Sequence, residues 1–158
     1  MRKTLYVMVG IPCVGKSTIA KQMEKENVIY VSRDEIRNGI LKEGEEHFSR
    51  ENQVYKEFVR QLQSALDSGK SAIADATHIN ICSRDKLLRM LNTTDCEVTA
   101  VHVDCGFGNC LARNNERAVE TRVPEGVMIR MYESFSKPTL EEGFGKIITI
   151  DNRWEMKL

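Results

Sequence analysis

Residues 10–18 read Gly10-Ile11-Pro12-Cys13-Val14-Gly15-Lys16-Ser17-Thr18. Two glycines five apart, followed at once by a lysine and hydroxyl residues, fit the pattern G-x-x-x-x-G-K-[ST]. The glycines let the backbone turn so that successive N–H groups face one anion-sized hollow. A helix opening near Lys16 adds its N-terminal partial positive charge. The Lys16 ammonium can then reach β- and γ-phosphates, and the Ser17 hydroxyl can ligate Mg²⁺. Four fixed positions at this spacing match by chance in about one in a hundred chains of this length. A strand before the loop and a helix after it make chance rarer still. Gly10, Pro12, Val14, Gly15, Lys16, Ser17 and Thr18 are therefore the expected nucleotide-binding residues. The expected cofactors are ATP, or another nucleoside triphosphate, and Mg²⁺.

Such a loop needs a sheet to carry it, and 158 residues suffice for one domain of that kind. Lys+Arg and Asp+Glu both number 23, so the chain is neutral, which excludes a polybasic nucleic-acid coat but not a local basic patch. The five cysteines form no CxxC pair, so a zinc site or disulfide framework is not expected, and a reducing compartment is. The apolar run after Met1-Arg2-Lys3 is too short for a signal peptide, and no stretch approaches a membrane span. The expectation is a soluble, cytoplasmic protein with no membrane partner.

The pattern alternates strand and helix. Strands are predicted over 4–9, 28–31, 71–74, 98–103 and 146–150. Helices are predicted over 17–25, from Ser32 to about Leu41, over 45–68, 81–91 and 110–117, and from Pro124 at the first helical position to before Pro138. On the long 45–68 helix, Phe48, Tyr55, Val59, Leu62 and Leu66 share one face. Met128, Met131, Tyr132 and Phe135 recur at helical spacing and read as core. The alternation implies an α/β fold with a mostly parallel sheet.

Ligands in such sheets bind beyond the carboxyl ends of the strands. The second strand ends at Ser32-Arg33-Asp34-Glu35-Ile36-Arg37, which places Asp34 and Arg37 on one helix face. An acceptor hydroxyl needs a carboxylate to take its proton and a cation to hold any phosphate beside it. Taken alone, the pair also fits a helix-start acid with a solvated arginine. Asp75 ends the third strand, where a carboxylate supports Mg²⁺ or simply makes a turn. Arg113, Arg117 and Arg122 mark an arginine-bearing lid at about 113–136, or a solvated charged loop. A helix N-terminus and Lys16 near Cys13 would depress its thiol, though a small residue that fits is the simpler reading. His78 is read as structural, and Trp154 as terminal packing.

Together these motifs resemble the kinase domain of phage T4-type polynucleotide kinase and its P-loop relatives. The resemblance runs from about residue 5 to 136. It rests on Gly10 to Thr18, Ser32-Arg33-Asp34-Glu35-Ile36-Arg37, Asp75-Ala76-Thr77-His78, Arg113-Asn114-Asn115-Glu116-Arg117, and Val123-Pro124 opening a helix with Met131-Tyr132. It implies a P-loop fold with a five-stranded parallel sheet. It also implies that Lys16 and Ser17 hold phosphates and metal, that Asp34 is the general base, and that Arg37 contacts the acceptor's phosphate. Asp75 would organise the catalytic site, and Arg117, with Arg113 secondary, would meet the donor phosphates. The implied substrate is a 5′-hydroxyl end of RNA or DNA.

The sequence departs from the family in three places. It holds no Asp-x-Asp phosphatase motif. His78 stands where the family has asparagine, and the segment 117–124 is one residue longer. Rival expectations are a P-loop kinase for another hydroxyl (a nucleoside, a small molecule or a hydroxymethylated base) and a nucleotide-binding switch that transfers nothing.

Overall fold

The computed structural model describes residues 2–153, and the Trp154 reading lies outside them. In chain order the elements are β1 (Thr4–Val9), α1 (Lys16–Met23), β2 (Val28–Ser32), α2 (Arg33–Ile40), α3 (Glu51–Asp67), β3 (Ser71–Asp75), α4 (Ile81–Met90), β4 (Glu97–Asp104), α5 (Phe107–Glu116), α6 (Glu125–Ser134) and β5 (Lys146–Asp151). One sheet of order β2-β3-β1-β4-β5 contains all five strands, and every pairing within it is parallel. No helix among the described residues is long and apolar enough to cross a membrane.

Alternation along β1 explains the layers. Leu5, Val7 and Val9 point into one core, with Phe58 and Leu62 of α3 and Leu87 of α4. Met8 points into the other, with Ala20 of α1, Cys110 of α5 and Met128 of α6. A parallel sheet covered on both faces reads as a continuous apolar run, which is what residues 4–9 and 98–103 show. The register sets Ser32 opposite Asp75, so α2 begins beside the end of β3. That alignment places Asp34, in the first turn of α2, and Asp75, at the end of β3, at the same carboxyl end of neighbouring strands.

The structure corrects several expectations. The long helix starts at Glu51, not 45. Upstream, the Glu45 carboxylate accepts from the Lys42 N–H at 2.7 Å and from Arg50 Nε at 2.8 Å, a local trap that holds turns in place of helix. Phe48 therefore lies outside the helix and is 62% exposed. The buried row is Val54, Phe58, Leu62, Ala65 and Leu66, with Tyr55 and Val59 at its margin. Pro124 caps α6 and does not open it. Its extended backbone lets its carbonyl accept from Val127 and Met128. On α6 only Met128 is fully buried. Tyr132 is exposed, its ring stacked on Phe107 at 4.3 Å.

Nothing in the sequence signalled the fully buried Arg84. Its Nε donates to Glu142 at 2.6 Å, and its Nη1 donates to the carbonyls of His78 (2.9 Å) and Ser136 (3.0 Å). Burial opposes the Glu142 charge, but Arg84 and the Thr139 N–H outweigh it and hold the carboxyl below its usual range. Arg84 thereby pins the segment after α6 to α4 and to the turn after β3. Removing one partner of a buried pair leaves an uncompensated charge. Glu142→Ala is expected to destabilise the protein by about 3–5 kcal/mol in urea unfolding. A loss under about 1 kcal/mol would contradict this role.

His78 is buried and sits at φ 44. Its Nδ1 lies 2.8 Å from the Met8 carbonyl, which can only accept, so Nδ1 carries the proton. Burial is the main force lowering its pKa from 6.5 to about 4; the Met8 bond opposes the shift, and Arg33, Lys16 and Arg84 reinforce it. The folded state therefore binds fewer protons than the unfolded chain below pH 6.5. Stability is complete above that value and falls as pH drops toward 4, by up to about 1.4 kcal/mol per unit. Asparagine tolerates positive φ, so His78→Asn should fold and show a flatter stability profile between pH 7.5 and 5. Denaturation at those two values checks it; equal slopes for both proteins would contradict it.

Candidate active site

The loop after β1 is built around two positions that only glycine fits. A Cβ on Gly10 would lie 2.7 Å from the Val103 carbonyl. Gly15 sits at φ 96, and a Cβ there would lie 2.2 Å from Asn152 Nδ2. Cys13 adopts φ 73 between them. The loop's carbonyls are held from behind: Asn152 Nδ2 donates to Val14 at 2.8 Å, and Arg113 Nη1 donates to Cys13 at 3.1 Å. Fixing carbonyls on one side suits an anion nest of N–H groups on the other. Val14 is buried and anchors the loop in the core, while Pro12 has no N–H to offer and supplies only shape. Thr18 is exposed in the first turn of α1.

Lys16 is buried, with its Nζ donating to the Ile11 carbonyl at 3.2 Å. Burial lowers its pKa, against the pull of Asp75 and Asp34. A phosphate entering the loop would give this ammonium a partner in place of a carbonyl.

Asp75 is 4% exposed, and its Oδ2 accepts from Ser17 Oγ at 2.8 Å and from Tyr30 OH at 2.5 Å. Tyr30 was not singled out from sequence; its one signal is an aromatic side chain two residues before the end of β2. Burial and the Asp75 carboxylate together push its phenol upward, so it stays a donor. No group of three or more His, Cys, Asp or Glu among the described residues forms a metal cage. Mg²⁺ takes few protein oxygens alongside substrate phosphates and water. The Ser17 hydroxyl backed by a buried carboxylate is a hard-oxygen donor set of that kind.

Asp34 and Arg37 meet as the helical spacing requires: Arg37 Nη1 contacts Asp34 Oδ1 at 2.5 Å. Their surroundings differ sharply. The Asp34 side chain is 84% exposed and that of Arg37 is 6% exposed. Glu51, at the start of α3, accepts from Arg37 Nε at 2.6 Å and Nη2 at 3.0 Å. Its Oε2 also accepts from Arg33 Nη2 at 2.9 Å. Bonds to Glu51 are the largest influence raising Arg37, and the same bonds lower Glu51. Arg37 is thus engaged by carboxylates on both sides through three of its five N–H groups.

The expected lid divides. Arg113 donates from Nη1 to the Cys13 carbonyl and from Nη2 to the Asn152 carbonyl, so it braces the loop against the end of β5. Arg117 is exposed at the end of α5, near enough to Cys13 for its charge to act there. Arg122 folds back onto the carbonyls of Asn115 and Arg117. The buried Asn114 closes the loop after α5 by pairing with both the N–H and the carbonyl of Val123. At Cys13 burial raises the thiol more than Arg117 and Lys16 lower it, against the depressed-thiol alternative and in keeping with the simpler reading of a small residue that fits.

A separate cavity of about 740 Å³ lies between α2 and α3 along the edge of β2, lined by Glu35, Ile36, Lys56 and Glu57 among others. None of residues 10–18 lines it.

Comparison with known proteins supports the same fold. Residues 5–138 match the model of an AAA domain family. An L-seryl-tRNA(Sec) kinase from Methanococcus maripaludis is 30% identical over 142 residues, which cover 85% of this chain and 53% of that protein. A protein of Autographa californica nuclear polyhedrosis virus, assigned as a bifunctional polynucleotide kinase/RNA ligase, is 24% identical over 148 residues, covering 85% of this chain and 21% of that protein. The chain thus spans about half of the first relative and about a fifth of the second. Among solved structures, a chain of the Pnkp1/Rnl/Hen1 RNA repair complex superposes with a TM-score of 0.72 at 20% identity, covering 84% of this chain and 44% of that one; this likeness shows the fold alone. With its glycine-flanked loop, its Lys16 and its Ser17–Asp75 pair in place, the chain belongs to the AAA domain family, whose model spans residues 5–138.

Proposed function

We propose that this chain is a P-loop kinase that transfers the γ-phosphate of ATP to the 5′-hydroxyl of an RNA or DNA end, an end-healing reaction. The observation that carries the reading is Asp34. Its exposed carboxylate stands at the start of α2, opposite the end of β3, and its charge is felt by the buried Lys16. A hydroxyl entering there meets a proton acceptor on one side and the phosphate loop on the other.

Each residue has a distinct task in this reading. Asp34 accepts the proton as the acceptor oxygen attacks in line. Arg37, held by Glu51 and paired with that carboxylate, keeps two N–H groups to meet the acceptor's phosphate. Lys16 and the loop N–H groups stabilise charge on the transferring phosphoryl group, and Arg117 adds a cation from the lid side. Ser17, with Asp75 behind it, would hold Mg²⁺, whose chemistry is to neutralise charge between the β- and γ-phosphates.

A second reading has its own support, because the seryl-tRNA kinase is 30% identical over most of this chain. There the acceptor would be a hydroxyl on an amino acid carried by RNA. Transfer of labelled γ-phosphate separates the two. The acceptors are 5′-hydroxyl RNA and DNA oligonucleotides, a free nucleoside and seryl-tRNA, each with ATP and Mg²⁺. The proposal expects label at the 5′ end of an oligonucleotide and none on the nucleoside. Label on seryl-tRNA or on the nucleoside, with none on either oligonucleotide, would overturn it.

A further inference from the structure

Phe48 lies in the turns between α2 and α3, is 62% exposed and belongs to neither core. A lone exposed apolar side chain is ordinary. Its position here is not. The ring lies over the Arg37 guanidinium, whose carbon stands 5.5 Å from the ring centre, and Arg37 is paired with Asp34. A single guanidinium therefore separates the ring from the carboxylate that stands ready for the acceptor hydroxyl. The His47 imidazole stands nearly perpendicular to the ring, with 4.5 Å between the two centres.

The side chain is open, but the backbone beneath it is fixed. Glu45 accepts from the Lys42 N–H and from Arg50, and the Ser49 N–H and hydroxyl both donate to the Glu46 carbonyl. Glu51 ties the far end of the segment to Arg33 and Arg37. A ring held in this way can receive a partner at little cost in ordering. Arg37 occupies one face, and the exposure leaves the other to solvent. A flat apolar face suits a nucleobase, since every base has a π face that stacks on an aromatic ring. A nucleotide matches the place twice over. The two remaining N–H groups of Arg37 suit its phosphate, and the ring beside them suits the base joined to that phosphate. A small hydroxyl compound offers no base.

We infer that Phe48 is a stacking platform for a nucleobase near the 5′ end of the acceptor strand. Base, ring and guanidinium then form one column beside Asp34. This inference rests on the polynucleotide reading above and adds to it a contact that tolerates any base. A ring that only shielded Arg37 from water would serve every acceptor alike.

The test uses the whole protein loaded with Mg²⁺ and a non-hydrolysable ATP analogue, so that the phosphate loop is filled. Binding of 5′-hydroxyl hexanucleotides is measured for the unaltered protein, for Phe48→Leu and for Phe48→Trp. One hexanucleotide is intact, and three others lack the base at the first, second or third position. Phe48→Leu should weaken binding of the intact strand about tenfold, and Phe48→Trp should hold the affinity. One of the abasic strands should bind the unaltered protein about tenfold less tightly than the intact strand, yet lose nothing further to Phe48→Leu. An equal loss for the intact and all three abasic strands, or no loss with Phe48→Leu, would overturn the platform while the polynucleotide reading stands. No hexanucleotide bound by the unaltered protein, and none phosphorylated with ATP, would overturn both.

Discussion

One carboxylate oxygen, Oδ2 of Asp75, accepts from Ser17 on α1 and from Tyr30 on β2 while belonging to β3. It joins the phosphate loop, the edge strand and the strand between them at a buried point. The parallel register that sets Ser32 opposite Asp75 brings α2 to the same edge. Asp34 stands beside the phosphate loop because of that register and that joint. The geometry proposed for transfer depends on the strands holding their alignment, since a small displacement of a reacting group is costly in rate.

A second constraint is electrostatic. The site gathers cations before any phosphate arrives, and the fold keeps each one in order. Lys16 rests on the Ile11 carbonyl, and Arg37 is clasped by Glu51 and Asp34. Arg113 is turned onto loop carbonyls. Lys16, Arg37 and Arg113 are thus each parked on a neutral acceptor or matched to a carboxylate. Preorganisation of this kind avoids moving charge at the moment of reaction. It also explains why arginines on a motif need not share a role: Arg113 and Arg117 are four apart, yet one braces the loop and the other faces solvent.

The legible part of the sequence was local. Gly10 and Gly15 announced themselves because backbone geometry admits little else there, and Asp34 and Asp75 because strand ends are where such sheets place ligands. The strand and helix order followed from periodicity. What escaped depended on partners distant in the chain. Asn152 reaches Val14 across 138 positions, Arg84 reaches Glu142 across 58, and Tyr30 reaches Asp75 across 45. Glu51 is only 14 residues from Arg37, but its role needed the true start of α3, which the Glu45 trap displaced. The 55/59/62/66 row and the 54/58/62/65 row are both apolar enough to face a core, and tertiary packing chose between them.

The central claim is that Asp34 serves the chemical step and not nucleotide binding. Single-turnover transfer to a 5′-hydroxyl oligonucleotide, measured for Asp34→Ala beside ATP affinity for the same variant, tests it directly. The account predicts a rate lower by about 10²–10⁴ with ATP affinity largely retained. Turnover at the unmodified rate, or a loss explained wholly by weaker ATP binding, would contradict it.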